Sequence, residues 1–235
     1  MKRVLKIVLL LLFGFNSLSA QVGIGIRGGL NLANWAANDV VREELRDNFG
    51  TDEFKSVNNL LFGALIEIRL MDNLAIQPEI NFIQKGSQFS SSLRDPVLGS
   101  VELDGRYSFN YLEVPLMLKV GTGFGVGRFD VLLGPSFGYA LNGKTKVSLS
   151  FKDLDRSETN TEEIDFDEDE ISRTDLGAQL GASLGLNLGP VGRLFVDGRY
   201  LLGFTNLDKH EHGSGEEPSV KNRGIALTAG LIFSF

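Results

Sequence analysis

Apolar and polar residues alternate with a period of two through most of the chain. Val22, Ile24, Ile26, Gly28, Leu30 and Leu32 take turns with Gly23, Gly25, Arg27, Gly29 and Asn31, and Phe62, Ala64, Ile66, Ile68 and Leu70 with Gly63, Leu65, Glu67 and Arg69. Leu74, Ile76, Pro78, Ile80 and Phe82 face away from Gln77, Glu79, Asn81 and Lys85, and Leu112, Val114, Leu116, Leu118 and Val120 away from Glu113, Met117 and Lys119. Segments 129–141, 174–188, 194–202 and 225–235 continue the pattern. Successive side chains of a strand point to opposite faces, so the period predicts eight half-apolar strands.

One segment also admits a helix. Residues 176–192 are uncharged and carry Gly177, Gly181, Gly185 and Gly189 at the four-residue spacing of helix-dimer faces. The even positions from Thr174 to Leu188 are nevertheless nearly all Leu or Ala, while the odd ones are glycine or polar. An alternation that long requires a strand.

The connections alternate too. Those at 71–73, 121–127 and 189–192 are short and turn-rich, whereas 33–58, 87–104, 142–171 and 206–221 are long and polar. Short turns at one end and long loops at the other predict an all-β fold, an eight-stranded antiparallel up-and-down transmembrane β-barrel with both termini at the short-turn end. A soluble barrel also alternates, but here one face is nearly free of charge while the other is small or ionic, as a cramped lumen requires. Phe62, Phe82, Tyr139 and Tyr200 fall toward the long-loop end and Phe129, Phe233 and Phe235 toward the other, the placement of two interfacial girdles. Tyr107 and Phe109 share parity with Glu113, so they either lie above the membrane or follow a bulge near Asn110. Pro115 deletes a ladder donor and is expected to mark such a bulge.

The first residues change the picture of where the chain goes. Basic Lys2, Arg3 and Lys6, an apolar run and Ser17-Leu18-Ser19-Ala20 read as a signal peptide over 1–20, leaving 21–235 as the barrel. Cysteine is absent, which excludes a lipidated N-terminus, disulfides and thiolate metal sites, and a net charge of -7 argues against nucleic-acid binding. The final segment places Thr228, Gly230, Phe233 and Phe235 at the spacing of the C-terminal signal read by the barrel-assembly machinery.

Several motifs then resemble a known family. Gln77-Pro78-Glu79 followed by Lys85-Gly86, the run Leu112-Glu113-Val114-Pro115-Leu116-Met117-Leu118-Lys119, Gly134-Pro135, and Arg199-Tyr200 with Gly203 look like the patterns of the PorT-like outer-membrane β-barrel domain family, in matching order. The likeness spans nearly all of 21–235. It implies a small porin-like barrel in the outer membrane of a Gram-negative cell, and one family namesake assists protein secretion and maturation.

Candidate chemistry gathers on the inward face: Arg27, Glu67, Arg69, Glu79, Lys85, Glu113, Lys119, Asp130, Asp175, Arg193, Asp197 and Arg199. Both signs are balanced, and an eight-stranded lumen is only wide enough for side chains, so these residues are expected to form a salt-bridged plug. Asp165, Asp167 and Asp169 imitate the start of a calcium loop, yet Glu170 stands where glycine is needed, so a solvated acidic loop is expected. His210 and His212 are a weak metal pair lacking a third ligand, and no cofactor is expected. Residues 39–49, with Val41, Leu45 and Phe49 on one side, are expected to form a loop helix over the barrel mouth.

The expected function is a non-enzymatic barrel with a structural, binding or secretion-accessory role. The alternatives are a narrow pore for small solutes and, third, a lipid-modifying enzyme. Expected partners are membrane lipids and lipopolysaccharide, the assembly machinery during insertion, and an envelope or secretion protein.

Overall fold

The computed structural model describes residues 21–51, 53–95, 99–151, 156–209 and 217–234. The expected leader, Phe235 and both histidines lie outside them. Among the described residues there are nine strands: β1 (Gln21–Ala37), β2 (Val57–Met71), β3 (Leu74–Asp95), β4 (Gly99–Phe124), β5 (Gly127–Phe151), β6 (Arg156–Glu163), β7 (Thr174–Asn187), β8 (Arg193–Gly203) and β9 (Val220–Ser234). All pairings are antiparallel, β1 meets β9, and β4 meets β5 and β5 meets β7, so eight strands close into a ring with β6 attached to β5 outside it. Closure leaves no ring strand with an unpaired edge, which is the condition for a sheet to cross hydrocarbon.

The two faces separate as the alternation predicts. Ile26 is 62% exposed and its neighbour Arg27 4%. Large apolar side chains are exposed on every ring strand, among them Phe62, Ile80, Leu116, Leu133, Leu180, Val196 and Leu227. A water-soluble surface does not carry an apolar belt of that extent, and a lipid-facing one must. Phe62 and Phe82 stack at 4.9 Å, and Tyr139, Tyr200, Phe129 and Phe233 also face outward.

Small residues let the backbones and the lumenal charges share this narrow space. A Cβ on Gly181 would lie 2.4 Å from the Gly198 carbonyl oxygen and 2.8 Å from the Arg199 Cγ, and one on Gly185 would lie 2.7 Å from the Arg193 Cδ. The glycine repeat of β7 therefore belongs to a strand packed under arginines.

Three expectations are corrected. The segment 87–104 is not an irregular loop: β3 and β4 stay paired in one register from Lys85–Phe109 out to Asp95–Gly99. The stretch 142–171 likewise holds the end of β5 and its hairpin partner β6. Pro115 marks no bulge, since Val114–Phe137, Pro115–Ser136 and Leu118–Leu133 keep one register; the missing donor is tolerated as a local gap in the ladder. The irregularity sits at Asn110–Tyr111, opposite β5, where Asn110 pairs Asn142 and Tyr111 pairs Ala140, leaving Leu141 extra. The shift is taken up by β5, so Tyr107, Phe109 and Tyr111 keep the inward parity of Glu113.

At 26 residues, β4 is far longer than the roughly 9–11 that cross a bilayer, so β3, β4 and β5 project well past the apolar belt. Beside this wall stands the helix α1 (Asp39–Phe49), which starts where the Asn38 side chain accepts from the Val41 N–H and stops at Gly50, whose φ of 67° is left-handed. It buries Leu45 and sets Phe49 against Phe89 at 5.1 Å.

A ring closed by hydrogen bonds survives SDS until it is heated. Unheated and boiled samples should therefore run as two separate bands on a gel, and identical migration would count against closure.

Candidate functional site

Eleven of the twelve inward charges named from sequence lie buried in the lumen; Arg69 sits at the turn-end rim, half-buried, bonded to Gln21 and Glu67. They are stacked in three tiers. Stepping along the barrel from the turn end, Glu67 lies opposite Gly23, Leu65 opposite Gly25, and Arg27 opposite Gly63.

The middle tier is organised around one carboxylate. Glu79 Oε2 accepts from Arg27 Nη1 at 2.7 Å and Arg199 Nη1 at 3.0 Å, its Oε1 accepts from Arg199 Nη2 at 2.9 Å, and Gln77 and Asn81 donate their side-chain amides to it. Asp197 completes the group, accepting from Arg27 Nη2 at 3.1 Å, Arg199 Nη2 at 2.9 Å and the Thr228 hydroxyl at 2.8 Å. Two guanidinium groups thus meet two carboxylates with no excess charge. Forked donors against planar acceptors make the strongest such contacts.

At the turn end Glu67 accepts from Lys119 at 2.8 Å and from Arg193, and Asp130 accepts from Arg128 at 2.8 Å. At the loop end Lys85 donates to Glu113 Oε1 at 2.7 Å and to Asp175 Oδ2 at 2.9 Å, Gln179 donates to Glu113 Oε2 and Asn222 to the same Asp175 Oδ2, and Asp175 Oδ1 is buried without a partner among the described residues. The turn-end tier therefore carries surplus positive charge, and the loop-end tier one carboxylate more than its single cation. The void beside Lys85, Glu113 and Asp175 measures about 10 Å3, the size of one water.

Above this tier the lumen turns aromatic. Trp35 packs against Tyr107 at 4.9 Å, Phe54 at 5.3 Å and Phe109 at 5.9 Å, and Phe109 in turn meets Tyr111 and Phe166. Burial pushes the Tyr107 phenol above its usual pKa, so it stays neutral. The acidic stretch beside it is a turn: the Asp165 carboxylate accepts from the Asp167 and Glu168 backbone N–H groups, which hold its pKa below the ordinary range. Among the described residues no group of three or more His, Asp or Glu side chains is arranged to hold a metal ion.

Sequence reasoning placed the charges and missed their supports. Arg128 shares parity with Asp130 and is buried beside it, one residue before the apolar alternation of 129–141 begins. Thr228 and Gly230, named as part of an assembly signal, face the lumen: the Thr228 hydroxyl lies between Arg27 and Asp197, and a Cβ on Gly230 would lie 2.5 Å from the Phe195 ring. Trp35 continues the inward parity of Arg27 and Asn31 and was legible on that ground.

Removing one partner of this tier leaves the others buried and unpaired, which costs about 3–5 kcal/mol in such sites. Arg199→Met should lower stability by that order in urea unfolding from lipid vesicles, and Arg199→Met combined with Glu79→Gln should cost less than the sum of the two single changes.

The chain matches the family model described as "Outer membrane protein beta-barrel domain" over residues 16–209. No curated protein matches it. Among solved structures it is similar to Ail, the attachment invasion locus protein of Yersinia pestis, at 16% identity over 91% of this chain and 99% of that one, with a TM-score of 0.38. It is similar also to Neisserial surface protein A at 11% identity, 90% and 97% coverage and a TM-score of 0.40. The outer-membrane protease OmpT from Escherichia coli follows at 12% identity, 94% and 99% coverage and a TM-score of 0.38. The family match takes in every strand from β1 to β8, and the chain belongs to this family of outer-membrane β-barrels.

Proposed function

We propose that this protein is a non-catalytic outer-membrane barrel, closed to solutes, that acts through its loop end as a binding or secretion-accessory component of the envelope. The observation that carries the reading is the lumen: its six carboxylates each meet a cation, and the middle tier fills the barrel between Arg27, Glu79, Asp197 and Arg199. A solute passing through would have to break buried ion pairs that span the whole cross-section, so the cross-section serves stability and not transport.

Work is left to the projecting end, where β3 to β6, α1 and the acidic turn stand clear of the apolar belt. That end faces the cell exterior and the two termini face the periplasm, as for a barrel with an even number of ring strands and short turns on the periplasmic side. The resemblance of the 112–119 run to the PorT-like family favours a role beside a secretion or assembly system over a housekeeping pore.

Reconstituted in planar bilayers, the full chain should give no steady ion current; discrete, long-lived conductance steps would overturn the closed-lumen reading and favour the narrow pore. An epitope inserted between Asp95 and Gly99 should be labelled by antibody on intact cells. Labelling only after the outer membrane is permeabilised would reverse the orientation.

A further inference from the structure

One group in the lumen has chemistry that a charge plug does not use. Lys85 is the amine of the loop-end tier, and its Nζ lies 2.7 Å from Glu113 Oε1 and 2.9 Å from Asp175 Oδ2. All three side chains are buried, and the Tyr111 ring covers Nζ at 5.0 Å. An amine touching one carboxyl group, with a second carboxylate on the same nitrogen, supplies the parts of an amide condensation: nucleophile, acceptor and proton carrier.

The two carboxyl groups are set up differently. Glu113 has both oxygens occupied, Oε1 by Lys85 and Oε2 by the Gln179 amide at 3.1 Å, so it is fixed against the ammonium. Asp175 accepts on Oδ2 alone, from Lys85 and from the Asn222 amide at 3.0 Å, and its Oδ1 has no partner among the described residues. Asn222 is itself aimed by the Trp35 indole, which donates to its Oδ1 at 3.1 Å. A fixed donor on Asp175 Oδ2 stands where negative charge develops when an amine adds to that carboxyl carbon. The oxygen that no group holds is the one free to depart.

Lys119, the amine of the turn-end tier, is the contrast. It meets Glu67 at 2.8 Å and Asp130 at 3.7 Å, but Glu67 is also gripped by Arg193, and Asp130 by Arg128 at 2.8 Å. A guanidinium stays charged and neutralises the carboxylate it holds. Among the described residues no arginine pairs with Glu113 or Asp175; Arg223, at the edge of the neighbouring void, donates its Nη1 to the Gly203 and Asn222 backbone carbonyls.

Strand pairing holds the reacting groups in place. Lys85 on β3 is in register with Phe109, and Asp175 on β7 with Gly138, so the two side chains meet across the lumen from strands that are not neighbours. Groups held in contact react as if at very high concentration, roughly 10⁵–10⁸ M in well-oriented cases. The void of about 10 Å3 beside them is the size of the single water that a condensation releases.

We infer that Lys85 and Asp175 join in an isopeptide bond, with Glu113 as the proton carrier. Glu113 takes a proton from the Lys85 ammonium, the freed amine adds to Asp175 Cγ to form the C–N bond, and the Asn222 amide supports the oxyanion on Oδ2. Glu113 hands its proton to Oδ1, takes a second from the nitrogen and delivers that one as well; the Cγ–Oδ1 bond breaks and Oδ1 departs as water. Ammonium and carboxylate become a neutral amide and one water, Glu113 returns to its starting form, and the net charge of the tier is unchanged. The balance calls for no oxidant or cofactor. The product staples β3 to β7 through the lumen, a covalent tie beyond the closed-barrel reading and independent of what the loop end binds.

The test is a peptide map of the full chain, extracted from outer membranes in octyl glucoside, heat-denatured and digested with trypsin. Trypsin does not cut after an acylated lysine, so peptide 70–94 should appear joined to 174–193, lighter than their sum by one water, and should replace most of the free 70–85. Lys85→Arg keeps the cation but has no amine to acylate. It should retain the heat-shifted gel band, lack the linked peptide and, once boiled, migrate apart from the boiled wild-type chain, whose 85–175 loop is closed. Glu113→Gln should cut the linked fraction about tenfold or more with the heat-shifted band retained, because a positioned proton carrier contributes about 10²–10⁴-fold. Free 70–85 and 174–193 as the only forms of these segments, from wild-type protein that shows the heat-shifted band, would overturn the inference, as would a link from Lys85 to Glu113 in place of Asp175. An unchanged linked fraction in Glu113→Gln would remove Glu113 from the reaction. Bilayer conductance on the same preparation decides the closed-lumen reading separately, so a current there and an unlinked map here are distinct results.

Discussion

The Glu79 carboxylate sets the terms for the rest of the barrel. Five side-chain donors converge on its two oxygens, from β1, β3 and β8, so strands far apart around the ring are tied through its centre. A carboxylate at that depth is tolerable only when it is fully paired and hydrogen-bonded. The pairing dictates what may stand nearby: arginines long enough to reach the axis, Asp197 to balance the second guanidinium, and glycines on β7 beneath their stems. Inward glycine and inward arginine are thus two sides of one packing solution.

The same requirement explains why the outer face is so uniform. With the polar groups gathered inside, the outer positions hold apolar chains and aromatic rings, and the backbone ladders close the ring. Prolines at 78, 115 and 135 interrupt the ladder without shifting it. The neighbouring pairs hold the register on either side of each proline.

Much of this was legible in the sequence because a period of two is read the same way in a string as in a sheet. Arg27, Glu79 and Arg199 fall on the inward parity without any knowledge of their contacts. The ends of the strands were not legible for a physical reason. Past the apolar belt a hairpin no longer needs an apolar outer face, so Ser91, Ser92, Ser148 and Ser150 carry no alternating apolar signal and read as loop although they are paired. The aromatic cluster above the loop-end tier was hidden for a related reason: its rings come from β1, the segment after α1 and the β3–β4 projection, and only the tertiary arrangement brings Trp35, Phe54 and Tyr107 together. The lone tryptophan on the lumenal parity was the one sign of it.

The span of the central ion pairs has a consequence for how the molecule is made. Arg27 and its partner Asp197 are separated by 170 positions, and Arg27 and Glu79 by 52. No early hairpin contains the whole middle tier: a chain with only β1 to β5 in place holds Arg27 and Glu79 and lacks β8, which carries Asp197 and Arg199 together. Such an intermediate must keep its interior wet, because dehydrating it would leave Glu79 without its two Arg199 donors and Arg27 without Asp197. Water can leave the lumen only once β8 and β9 arrive, so drying of the core and closure of the ring are a single late event, and assembly of this barrel is governed by its most distant contacts.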